Sequence, residues 1–201
     1  MILAPIVLEG RSIRLEPLTL DHVAGLYRHA SPEIFEWMVD WPLDESLDAY
    51  LDWESRGLEI PDSQLFAMVL RETGEPIGST AFLDVRPSNR AIEIGRTWIG
   101  KTLQGKAANP EGKLLLLSHA FEALGALRVQ LKTDSRNLHS QRAIAKLGAV
   151  CEGTLRNYQV RADGRPRDTV MYSITAEEWP AVRAGLLRRL AKLDESTGST
   201  G

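Results

Sequence analysis

From Gly100 to Glu111 the sequence reads Gly-Lys-Thr-Leu-Gln-Gly-Lys-Ala-Ala-Asn-Pro-Glu. The alternating segment before it, Ala91 to Ile99, has the pattern of a strand, and Leu114, Leu117, Phe121 and Leu124 after it recur at helical spacing. This loop therefore delivers a helix N-terminus beside a strand end. Such a terminus offers unpaired N–H groups and a partial positive charge, which together suit a phosphate. Gly105, Ala107 and Ala108 are small enough for backbone N–H groups to approach an anion, and Lys101 and Lys106 add charge. The same residues also read as an ordinary strand–helix connection, and Glu111 in the first turn could satisfy the helix dipole by itself. The nucleotide pattern GxxxxGK[ST] is absent and no full GxGxxG follows a strand, which disfavours nucleotide hydrolysis and dinucleotide binding.

Other residues with chemical potential have simpler readings. His119 lies inside the Leu-rich helix and reads as structural. His22, His29 and His139 stand in no cysteine or carboxylate pattern that suggests a metal, so none is expected. Phe35, Trp37 and Trp41 form an aromatic cluster that reads either as core or as a wall of a binding cleft. Arg183, Arg188, Arg189 and Lys192 fit the solvated face of a last helix.

The elements that must position these residues follow from periodicity and caps. Arg11 to Glu16 alternates as a strand, and Thr19 can cap a helix carrying Val23, Leu26 and Tyr27. Ser31 to Pro42 is irregular. Leu47, Tyr50 and Leu51 mark a helix over residues 44–56. Residues 64–70 and 76–85 flank Glu72-Thr73-Gly74-Glu75 as a hairpin. Asn109 is expected as N-cap with Pro110 first in the helix, and Gly125 as its C′ residue. A strand over 128–133 precedes a helix over 137–147, which Gly148 stops. Asp163-Gly164 turns a final hairpin. Thr175 and Glu178 make a possible capping box, after which Pro180 opens a helix with Val182, Leu186, Leu190 and Leu193 buried.

The order β-α-α-β-β-β-α-β-α-β-β-α implies one mixed sheet with helices on it. The strand–helix–strand unit from Ala91 to Thr133 implies a right-handed crossover and a parallel pair, and the hairpins imply antiparallel neighbours.

Bulk properties bound the rest. The chain has 201 residues, 43% apolar and 25% charged, with a net charge of −3, an ordinary globular balance for one core. No basic field advertises nucleic acid. Cys151 is the only cysteine, so neither a disulfide framework nor a cysteine-rich zinc site can form. The opening MILAPIVLEG lacks a basic n-region, and no run approaches the ~18 apolar residues of a membrane span. The cytoplasm is the expected compartment. Residues 1–194 are expected to form one domain, with 195–201 a disordered tail.

In three stretches the chain resembles the GNAT superfamily, particularly its RimJ/RimL-like branch. These are LEPLTLDHVAGLY, then EIGRTWIGKTLQGKAANPEGKLLLLSHAFEALGALRVQLKTDSRNLHSQRAIAKLGAVCEG, and finally DTVMYSIT. Leu114 to Gly148 is the most specific part. The resemblance implies an α/β (α+β) fold: a mixed, mostly antiparallel twisted sheet with a central splayed parallel strand pair, flanked by helices. It further implies an N-acetyltransferase that uses acetyl-CoA and an amine acceptor, either a protein N-terminus or a small molecule. A homodimer is common among relatives.

Residue roles follow from the same resemblance. The family's pyrophosphate loop, Gln/Arg-x-x-Gly-x-Gly/Ala, falls on Gln104, Ala107 and Asn109, where only Gln104 matches the glycine-rich form. Gly105, Lys106 and Ala108 complete the loop. Backbone groups of Thr97, Trp98 and Ile99 would pair with the pantetheine arm. Asn137 and Ser140 match an Asn-x-x-Ser beside pantetheine and thioester, and Arg142 and Lys146 on the same helix could reach the phosphate end. Glu93 is the expected base, sharing a face with Ala91, Gly95 and Thr97. Its plainer reading is a solvated carboxylate, or one paired with Arg96 or Arg90. Ile144 replaces a tyrosine that serves many relatives as acid, which leaves Ser140 as the candidate acid. Trp37, Trp41, Tyr158 and Tyr172 could border the acceptor. The altered loop and missing tyrosine keep a second reading open, a non-catalytic acyl-CoA-sensing module. A partner-binding domain with no cofactor is the third.

Overall fold

A computed structural model describes residues 2–198. Eight strands form one sheet: β1 Leu8–Glu9, β2 Ile13–Pro17, β3 Gln64–Leu70, β4 Pro76–Arg86, β5 Ala91–Ile99, β6 Arg128–Asp134, β7 Val150–Val160 and β8 Pro166–Thr175, in the order β1-β2-β3-β4-β5-β6-β8-β7. Neighbouring strands are antiparallel except β5 and β6. That parallel pair is short: its register runs from Ala91 opposite Arg128 only to Glu93 opposite Gln130. Beyond it the strands separate. The backbone edges facing the gap then have no ladder partner, although polar backbone groups strongly favour one.

Six helices flank the sheet: α1 Val23–Tyr27, α2 Pro32–Phe35, α3 Leu47–Leu58, α4 Ala108–Ser118, α5 Leu138–Ala145 and α6 Trp179–Gly198. The period-two alternation of β3 separates two cores. Phe66 and Met68 meet Leu116 and Leu117 of α4 and Val182 and Leu186 of α6. Leu65, Ala67 and Val69 meet Val23, Leu26, Phe35, Tyr50 and Trp53 of α1–α3. The expected glycines end their elements in the left-handed region, Gly125 at φ 66°, Gly148 at 96° and Gly164 at 77°.

Three local expectations need correction. Helix α4 starts at Ala108, with Ala107 and not Asn109 at the cap. Pro110 is tolerated in the first turn because the first N–H groups of a helix have no intrahelical partner. Helix α6 begins at Trp179, while Thr175 N donates to Glu178 Oε2 at 2.8 Å, the backbone half of a capping box. The helix continues through Gly198; 199–201 of the expected tail lie outside the described residues.

Strand β5 does not keep one alternation. Ala81 faces Gly95 but Ser79 faces Trp98, so one extra residue is inserted, and Arg96 takes φ 46°. This is a β-bulge. Ile92, Ile94 and Ile99 all reach the α4 core, whereas Trp98 joins the α3 core. Glu93 and Thr97, expected on one face, therefore lie on opposite faces.

Candidate active site

Where β5 and β6 diverge, a cleft of about 720 Å³ crosses the sheet. On the α4–α5 side its wall includes Gln104, Gly105, Asn109, Lys113, Asn137 and Ser140. Thr97, Trp98 and Ile99 line its β5 edge. On the other side it is closed by Trp37, Met38 and Asp40 of the segment after α2, together with Glu93, Lys132 and Arg167.

The loop leading to α4 is built to present its backbone. Gln104 Nε2 donates to Ile99 O at 3.2 Å, which ties the loop to the end of β5. Gly105 has φ 77°, and a Cβ there would meet nothing within 4 Å. The glycine is thus required by conformation, not by space. Asn109 Oδ1 is buried without a hydrogen-bond partner, which is costly unless a ligand supplies one. Glu111 does not neutralise the helix start. Its carboxylate turns away and accepts from the backbone N–H groups of Arg11 and Ser12 and from the Ser12 hydroxyl. Lys106, Arg142 and Lys146 are exposed and lie outside the cleft wall, as do Ala107, at the cap, and the buried Ala108.

At α5, Asn137 is the N-cap: its Oδ1 accepts from Ser140 N at 2.9 Å. The Asn-x-x-Ser spacing is thus first a helix start, and it leaves Ser140 on the cleft wall with Ile144 one turn later.

Glu93 is 1% exposed. Its Oε2 lies 2.9 Å from Lys132 Nζ and accepts from Gln130 Nε2 at 3.2 Å. Neither expected arginine is its partner. Arg96 pairs with Glu54 at 3.5 Å and Asp40 at 3.7 Å, and Arg90 Nε donates to Gly125 O at 2.8 Å. Glu93 Oε1 lies 2.9 Å from where a Cβ on Gly95 would sit, so the glycine makes room for a carboxylate against the bulge.

The aromatic candidates separate. Trp37 lines the cleft, with Arg136 over its ring at 5.3 Å. Trp41 lies on the far side of the same segment, in a second cavity shared with Tyr27 and Phe35, under Arg161 at 5.0 Å. Tyr172 is buried in the α4-side core opposite Cys151, and burial raises its phenol pKa. It therefore does not border the cleft. Tyr158 is exposed on β7 with Lys132 over its ring at 5.7 Å. His119 rests against Phe82, ring centres 6.1 Å apart, and burial lowers its pKa.

Two features were not anticipated. Lys113 is buried on the sheet face of α4 and reaches Thr97 Oγ1 at 2.6 Å. Its signal was present, since it is the lone cation in the i, i+3, i+7 series Pro110, Lys113, Leu117. The buried Asp134 is the second. Its carboxylate lies 2.8 Å from Arg136, 3.7 Å from Arg167 and 3.9 Å from Arg161, and these cations hold its pKa below the usual carboxylate range against the cost of burial. No sequence spacing joins these residues. Among the described residues, no group of three or more His, Cys, Asp or Glu side chains could hold a metal, and no helix is long and apolar enough to cross a membrane.

Residues 12–150 match the family described as acetyltransferase (GNAT) domain. The chain belongs to the GNAT acetyltransferase family. A solved structure of an acetyltransferase from T. thermophilus is 40% identical, with a TM-score of 0.89 over 94% of this chain and 100% of that one. The "Uncharacterized N-acetyltransferase p20" of Bacillus licheniformis is 31% identical over 57% of this chain, a match that spans 63% of that protein's length. The "Putative ribosomal N-acetyltransferase YdaF" of Bacillus subtilis (strain 168) is 26% identical over 82% of this chain and 90% of its own length. The RimJ/RimL-like branch read from the sequence agrees with that relative. GNAT membership also accounts for the sheet order, in which the separated β5–β6 pair forms the cleft.

Proposed function

We propose that this protein transfers an acetyl group from acetyl-CoA to a primary amine, on a protein N-terminus or a small molecule, in the cytoplasm. The observation that carries the reading is the cleft itself. It crosses the sheet, with a helix start and an orphaned Asn109 Oδ1 at one mouth and Trp37 at the other. Two reactants could therefore approach one point from opposite sides, which lowers the entropic part of the barrier.

The residues fit the donor. The loop 104–109 and the first turn of α4 offer N–H groups and a positive helix end to a diphosphate. The unpaired edges of β5 and β6 offer hydrogen bonds to a pantetheine arm. When bound, acetyl-CoA supplies a thioester, an acetyl group already activated toward amines. The chain's own work is then to hold the amine near the β5 bulge, to polarise the carbonyl with a backbone N–H there, and to accept the amine's surplus proton. Glu93 stands beside the bulge on the acceptor side and would take that proton through water.

The pairing of Glu93 with Lys132 favours a second reading, a non-catalytic acyl-CoA-binding module, because a carboxylate committed to an ammonium is a weaker base. Calorimetry with acetyl-CoA and thiol release across a panel of peptides and small amines separate the two. Saturable, amine-dependent thiol release is expected. Binding without release with any amine supports the sensor, and absence of binding removes both.

A further inference from the structure

Lys113 is 6% exposed, yet it lines the cleft. Its Nζ lies 2.6 Å from Thr97 Oγ1 and 3.4 Å from Thr80 Oγ1, and the two hydroxyls are 2.8 Å apart. Among the described residues no carboxylate lies within ion-pairing distance of it. A buried ammonium answered only by hydroxyls is a liability for folding. Retaining one at a cleft points to chemistry there. Burial alone pushes its pKa down to about 7, so it holds its proton loosely.

Its surroundings explain the isolation. Thr80 and Thr97 face it from β4 and β5. His139 and Ser140 of α5 line the same cleft. Glu93, Lys132 and Arg167 belong to the opposite face of the sheet, and Glu111 on its own helix is turned to Ser12. On the elements covering the other flank of α4, Glu9 pairs with Arg71, Arg14 with Glu16 and Arg11 with Asp194. The bulge at Arg96 is what turns Thr97, and with it the ammonium, into the gap between β5 and β6.

Resting on the acetyl-CoA reading above, we propose that Lys113 is the proton donor to the departing CoA thiolate, its ammonium aimed by Thr97 and Thr80. Ile144, across the cleft, has no proton to give. The acceptor nitrogen forms a bond to the acetyl carbon, the carbon–sulfur bond breaks with its electron pair on sulfur, and a proton passes from Lys113 Nζ to that sulfur. The surplus proton of the amine leaves on the Glu93 side, and Lys113 is reprotonated from solvent before the next turnover. A donor whose proton is held slightly less tightly than an alkyl thiol's suits this transfer.

The test is the ultraviolet absorbance of the thiolate of bound CoA, titrated in the complex with the unaltered protein. An adjacent ammonium should make the bound thiol ionise at lower pH than free CoA. In Lys113→Met that shift should vanish while calorimetry still detects CoA. Turnover of Lys113→Met should fall about 100-fold or more, with KM for acetyl-CoA nearly unchanged. An unshifted thiol in the wild-type complex overturns the proposal without reference to any variant, as does undiminished turnover of Lys113→Met. Mass spectrometry showing acetyl-Lys113 would also overturn it, since the amine would then be an acceptor. Failure of the unaltered protein to bind CoA at all would instead remove the acetyl-CoA reading, and this inference with it.

Discussion

The guanidinium of Arg96 lies 3.9 Å from the centre of the Trp53 ring, and its Nη2 donates to the Trp53 carbonyl at 3.1 Å. A helix some forty residues earlier thus holds the one residue of β5 that adopts a left-handed conformation. Glu54, fully buried, completes the anchor at 3.5 Å, and Gly57 clears its path: a Cβ there would lie 2.7 Å from Arg96 Nη2. A non-glycine residue at positive φ persists only where its surroundings over-determine it. Here the cation–π contact and the buried ion pair do so.

Replacing Arg96 with alanine should therefore be costly twice over. Glu54 would lose its cation inside the α3 core, a change worth about 3–5 kcal/mol when a buried pair is broken. Urea unfolding would measure this. In the folded fraction the bulge should relax, weakening turnover more than CoA affinity. A variant as stable and active as wild type would show that the bulge needs no anchor.

Lys113→Met should stabilise the protein, by an amount that depends on pH. Folding moves the lysine pKa from 10.5 down to about 7. Below pH 7 the ammonium is buried charged and its full cost applies. Between pH 7 and 10.5 the folded state is neutral while the unfolded state still binds a proton, so stability rises with pH and the cost shrinks. The variant's advantage should be at most about 3–5 kcal/mol below neutrality and should fade as pH approaches 10.5. Denaturant titrations at acidic and alkaline pH check the trend, and an advantage independent of pH would contradict it.

Glu93→Gln keeps the hydrogen bond from Gln130 but removes the charge that holds Lys132. Turnover should fall tenfold or more with little change in CoA affinity, and its pH profile should shift. The Glu93→Gln/Lys132→Met double variant distinguishes a base from a mere ion-pair partner. Recovery of turnover in the double variant would remove Glu93 from the chemistry.

Ala107→Glu puts a carboxylate at the N-cap of α4. A negative charge suits a helix start, so the fold should survive. The same charge should repel the diphosphate, and calorimetry should show CoA binding weakened about tenfold or more. Unchanged affinity in the folded variant would place the cofactor elsewhere.

Glu111→Ala separates fold from function in the same helix. The carboxylate receives hydrogen bonds from Arg11 N and Ser12 N, which would be left unsatisfied at a loss of about 1–3 kcal/mol. Thermal unfolding should register that loss, while CoA affinity should not change.

Periodicity, caps and turn glycines marked nearly every element, because these are local properties of the chain. The strand–helix–strand unit fixed the parallel pair, and the loop at Gln104 was legible as a helix start beside a strand end. The errors arose where a distant residue intervened. Alternation assigned Glu93 and Thr97 to one face, since nothing in residues 91–99 announces a bulge that Trp53, Glu54 and Gly57 hold from another helix. Trp37 and Trp41 looked equivalent, yet one short segment divides two cavities between them.

The sequence by itself determined the elements, their order and the family, because hydrophobic period and turn chemistry act over a few residues. Only the tertiary structure decided which polar groups share the cleft. Glu93 meets Lys132, Thr97 meets Lys113 and Asp134 gathers three arginines through strand register and burial. Those are properties of chain segments brought together by folding, and no spacing along the chain encodes them.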